Sequence, residues 1–76
     1  MARKLPSMHS RHYEITVRGR LSAALVAAFE GLNATPAAAN TVIRGDIPDQ
    51  AALFGVLERI ESLGLELLDV RSTPAP

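Results

Sequence analysis

The densest hydrophobic pattern in the chain lies between Asp46 and Leu68, where a helix start, an amphipathic body, a glycine stop and the opening of a strand follow one another. Leu53, Val56, Leu57, Ile60 and Leu63 recur at helical spacing as one apolar stripe, with Gln50, Glu58, Arg59 and Ser62 opposite. Asp49, directly after Pro48, offers the short acceptor side chain of an N-cap. Gly64 followed by Leu65 reads as a left-handed stop with its hydrophobic partner. Upstream, Tyr13, Ile15 and Val17 alternate with Glu14, Thr16 and Arg18, the period of a strand with one face on a core. Gly19 and Arg20 interrupt it, and Leu21, Leu25, Ala28, Phe29 and Leu32 then predict an alanine-rich helix, with Ser22 as N-cap and Gly31 as stop.

Between the two helices, the β-branched run from Thr41 to Ile47 predicts a strand ended by Pro48, and Leu65 to Arg71 predicts a last strand. The segment from Asn33 to Asn40, with Pro36 and three alanines in a row, carries a weak signal and is read as a short edge strand. Right-handed crossovers place both helices on one face of one sheet. The expected fold is therefore α+β: a ferredoxin-like split βαββαβ plait with an antiparallel sheet. If Asn33 to Asn40 is only loop, the alternative is three-stranded βαβαβ. The expected organisation is a disordered basic leader over residues 1–11, one domain over 12–71 and a disordered tail over 72–76, where Ser72, Thr73 and Pro74 are not expected to continue a strand.

Size changes the picture of assembly. A chain of 76 residues buries only about 60% of the surface its unfolded form exposes, so its core calls for a supplement. Cysteine is absent, which excludes disulfides and thiolate metal sites, and two histidines alone make a poor zinc set. Self-association is the supplement that remains. With both faces of a strand occupied by large aliphatics, one of them faces outward: Leu65 and Leu67 are expected to point one way, Leu68 and Val70 the other. Burying one such side chain is worth about 1.5–3 kcal/mol. These residues predict a symmetric homodimer through the open sheet face or an edge strand, with Phe54, beside the helical stripe, as a further contact. Gly55 sits in a helix interior, where close approach of another backbone would account for it.

Charge narrows the partners. Arg3, Lys4 and Arg11 precede Tyr13, whereas five arginines face eight acids after it, a net of −3. That mildly acidic domain argues against nucleic acid, which needs a clustered basic face. No apolar stretch approaches the roughly 20 residues that span a bilayer, and the basic start is followed by the polar stretch from Ser7 to Arg11, so a cytoplasmic location is expected.

The chemistry available is sparse. His9 and His12 are the natural candidates for proton transfer, but both lie in or beside the leader, where no packing holds a catalytic group. Asp46 and Asp49 flank Ile47-Pro48 and read as a strand-end turn and an N-cap rather than a metal pair. Arg18 and Arg20 bring two guanidiniums near a helix mouth, and with Glu66 they are the candidate polar contacts for a small anionic ligand. No catalytic residue, metal ligand or cofactor is expected. The tripeptides Arg44-Gly45-Asp46 and Asn33-Ala34-Thr35, which match adhesion and glycosylation signals, are read as chance.

The run Thr41-Val42-Ile43-Arg44-Gly45-Asp46-Ile47-Pro48-Asp49-Gln50-Ala51-Ala52-Leu53, with Gly55, Leu57, Arg59-Ile60 and Leu63-Gly64-Leu65-Glu66-Leu67, resembles a group of small uncharacterised proteins from high-GC bacteria. The likeness, with Tyr13 to Gly19 before it, covers most of the expected domain but implies no activity. Members often carry a histidine where Phe54 stands, so the resemblance assigns that side chain no role. In outline the plait is also similar to regulatory amino-acid-binding domains of the ACT type, which bind ligands between subunits; this likeness is one of topology. Two functions follow as expectations. The first is a non-enzymatic homodimeric module that works through protein contacts. The second is a binder of small anionic metabolites, or a minor enzyme, using a crevice between subunits.

Overall fold

The computed structural model describes residues 11–74, with Pro74 described by its backbone alone. Six elements follow one another: β1 (Arg11–Arg18), α1 (Ala23–Ala27), β2 (Asn33–Ala37), β3 (Asn40–Ile47), α2 (Gln50–Ser62) and β4 (Leu67–Pro74). The strands form one sheet in the order β2-β3-β1-β4, antiparallel throughout. The segment after Asn33 is thus a strand, and the three-stranded alternative is corrected to four. Residues 1–10 of the expected leader, His9 among them, lie outside the described residues, as do Ala75 and Pro76, whereas Arg11 belongs to β1.

Alternation along β1 and β3 builds the core. Ile15 stands opposite Ile43 and Val17 opposite Thr41, all buried, and with Phe29 and Ile60 the aliphatics among them form one cluster on the helix-bearing face. Thr41 is polar yet 3% exposed, and it is satisfied. Its Oγ1 donates to the Gly19 carbonyl at 2.8 Å and accepts from the Leu21 amide at 3.3 Å. Asn40 Oδ1 accepts from the Gly19 amide at 3.3 Å, so the start of β3 clamps the loop leaving β1.

The second helix follows the sequence closely. Asp49 accepts from the Ala52 amide at 2.8 Å as N-cap. At the other end Leu65 N–H bonds to the Ile60 carbonyl and Gly64 N–H to that of Glu61, with Gly64 at φ +76°, the two bonds of a Schellman stop. The first helix is shorter than expected. Ser22 caps it, but beyond Ala27 the bonds tighten to the third residue back, Ala28 to Leu25 and Phe29 to Val26, and Gly31 at φ +85° turns the chain into β2.

Three corrections concern the strands. The turn from β2 to β3 is only Ala38-Ala39, because Ala37 pairs with Asn40, and Ala38 adopts φ +57°. That conformation costs a non-glycine residue about 1–2 kcal/mol, and Arg20 Nε donates to the Ala38 carbonyl at 3.0 Å across it. β4 runs Leu67–Pro74 rather than Leu65 to Arg71. Leu65 is used in stopping α2, while β1 begins at Arg11 and supplies partners for Ser72, Thr73 and Pro74; proline is tolerated on an edge strand. His12, expected in or beside the leader, is a β1 residue opposite Asp46, and its Nδ1 lies 3.1 Å from Asp46 Oδ1. Asp46 is accordingly a strand residue rather than part of a turn.

Candidate interaction surface

A bulge decides what β4 presents. Thr16 pairs with Asp69 and Val17 with Leu67, leaving Leu68 as the extra residue. Side chains directly opposite share a face, so Leu67, opposite Val17, and Val70, opposite Ile15, both point to the helix-bearing side. The expected split of Leu67 from Val70 is therefore corrected. The insertion re-phases the strand and keeps both aliphatics off the open face.

That open face is charged. Glu14 Oε2 accepts from Arg44 Nε at 3.1 Å across β1 and β3, and Asp69 Oδ2 accepts from Arg71 Nε at 3.0 Å along β4. With His12 and Asp46 at one end of the sheet, these side chains keep the open face wet. Val42, opposite Thr16, is the aliphatic among them and is half-buried.

The uncovered apolar surface lies elsewhere, along the β4 flank of α2. α2 is seated over the middle of the sheet, where Ile60 meets Ile15 and Ile43, and β4 projects beyond it. Leu67 shares a hollow with Leu57, Ile60, Glu61 and Leu65. Phe54, one turn before Leu57, lies on the same flank of the helix. Exposure is 57% for Phe54, 43% for Leu67, 40% for Leu68 and 38% for Val70, whereas Leu65 is half-buried against the core. Covering what remains exposed is worth roughly 1 kcal/mol per side chain, a sizeable share of the stability of so small a domain. A doublet of leucines where alternation is expected is the sequence signal for the bulge; the ion pair between Asp69 and Arg71 carries no such signal.

The three polar residues read as ligand contacts lie at one end of the sheet. Arg18 Nε donates to Glu66 Oε1 at 2.8 Å, and the Arg18 amide bonds to the Glu66 carbonyl at 2.9 Å. Arg20 turns instead to the Ala38 carbonyl. Arg18 therefore already has a carboxylate partner in Glu66 on its Nε side, and the two side chains form an exposed ion pair. A groove between the two helices is lined by Glu30, Ala52, Gly55 and Arg59 among others, and among the described residues no buried polar side chain lines it. A Cβ on Gly55 would meet open space there, so no backbone among the described residues requires that glycine. Among the described residues no three His, Cys, Asp or Glu side chains are grouped to hold a metal ion, and no helix is long and apolar enough to cross a membrane.

No curated protein and no solved structure shows significant similarity to the chain. One family profile does match, and it spans residues 12–71, from the second residue of β1 to the Arg71 position of β4. The chain thus belongs to the DUF8691 family, a domain of unknown function.

Proposed function

We propose that the protein is a homodimeric interaction module on a ferredoxin-like plait, acting through protein contacts and without catalytic chemistry, in the cytoplasm. The strand order β2-β3-β1-β4 with helices joining β1 to β2 and β3 to β4 supports the plait. The observation that carries the function is the apolar flank formed by Phe54, Leu57, Leu67 and Val70, exposed on the helix-bearing side while the opposite face of the sheet is charged. An exposed apolar patch rimmed by polar residues is the mark of a contact surface. The anionic-ligand reading loses support from the pairing of Arg18 with Glu66.

Light scattering on the full chain at high micromolar concentration tests the assembly. A mass twice that of the 8.1 kDa chain is expected, and a monomer throughout overturns the proposal. A thermal-shift screen separates the functions: no response to anionic metabolites is expected, and stabilisation abolished by Arg18→Ala would transfer the function to ligand binding.

A further inference from the structure

We infer that the dimer forms by antiparallel pairing of β4 with β4 of a second copy, centred on Val70, so that two four-stranded sheets become one. This inference rests on the homodimeric reading above and specifies its geometry.

The two edges of the sheet differ in what they offer. β2 is five residues long and contains Pro36, which blunts it as a pairing edge. β4 is eight residues long, and its bulge at Leu68 and its proline at position 74 lie toward its ends, on either side of Val70; among the described residues it bonds only to β1, so no described strand takes up the backbone donors and acceptors on its other side. Edges of this kind add a strand when the side chains on both faces permit it.

Here the side chains select one register. If Val70 stands opposite its own copy, Asp69 stands opposite Arg71 of the second copy, and Arg71 opposite its Asp69. Both lie on the open face, already 3.0 Å apart along the strand, and the two intramolecular pairs would merge into a four-charge cluster. Shifting the centre by one residue places Asp69 against Asp69, or Arg71 against Arg71, and like charges directly opposite are destabilising. The strand is thus self-complementary at Val70 and self-repelling on either side of it.

The helix-bearing face agrees. A two-fold axis perpendicular to the sheet keeps both pairs of helices on the same side, so the Val70 side chains meet beneath the two α2 helices. Phe54, Leu57 and Leu67 of each copy then line the seam. The apolar flank and the free backbone edge are covered by one contact.

The absence of cysteine makes the test clean. Val70→Cys places two thiols on Cα atoms about 5 Å apart, within disulfide range, and should give a covalent dimer on mild oxidation. Ser72→Cys should not, because its symmetry mate lies about 13 Å further along the ladder. In parallel, Asp69→Arg should weaken the dimer about tenfold or more, and Asp69→Arg with Arg71→Asp should restore it. Cross-linking at Ser72 but not Val70, or a dimer indifferent to both charge variants, overturns the β4 pairing while leaving a homodimer standing. A monomeric wild-type chain overturns both.

Discussion

Thr41→Val removes one hydroxyl from the molecule and keeps its shape. In the wild type that hydroxyl donates to the Gly19 carbonyl at 2.8 Å and accepts from the Leu21 amide at 3.3 Å, at a residue 3% exposed. Leaving a buried backbone group unpaired costs about 1–3 kcal/mol. Gly19 and Leu21 are only half-buried, so water recovers part of that cost, and the longer bond contributes least. The added methyl returns about 0.8 kcal/mol. The net expectation is destabilisation by about 2 kcal/mol, or about 8–16 °C in Tm for a domain of this size. Thr41→Ser is the control, because it keeps both hydrogen bonds and loses one methyl, costing about 1 kcal/mol. Urea melts followed by circular dichroism compare the two. If the valine variant is as stable as the serine variant or more so, the clamp on the β1–α1 loop is not held by Thr41.

Gly45 stands opposite Tyr13 on the helix-bearing face, and a Cβ there would collide with Leu32 Cδ2 while lying 3.4 Å from the Leu32 Cα. Gly45→Ala is expected to lower stability by about 1–2 kcal/mol, overpacking outweighing alanine's better strand propensity; a raised urea midpoint would refute this. Deleting Leu68 is expected to leave a folded, cooperatively melting domain, because Leu67 and Asp69 can keep Val17 and Thr16 as partners in an unbulged ladder. Loss of cooperative melting in that variant would show the bulge to be required for folding.

Legibility in the sequence tracks how local the determining physics is. α2 is readable from end to end because its stripe, the Asp49 cap and the Gly64-Leu65 stop are all within a few residues of what they control. β1 is readable because Ile15 and Val17 alternate cleanly with polar neighbours. α1 is overextended in a sequence reading, since alanine propensity favours helix up to Gly31 while the return to β2 forces a tighter turn from Ala28 onward. The β2–β3 hairpin is faint for a related reason: its left-handed position holds Ala38, where glycine or asparagine would have announced the turn. At the candidate surface, the apolar residues are visible but their side is not. The face of Leu67 depends on a register shift against Thr16 and Val17, a long-range property that period-two counting assigns wrongly.

Arg11 and Pro74 are cross-strand partners, so the first and last residues of the paired framework lie about 5 Å apart. The ends of the paired framework thus meet at a seam in one corner of the sheet, and the strand pairings survive if those ends are joined and the chain is opened within a turn instead. A short linker across that seam, with new ends opened between Ala38 and Ala39, would preserve every rung of the ladder. Cargo fused at either side of the seam would leave from the same corner of the sheet, beside the strand that faces outward.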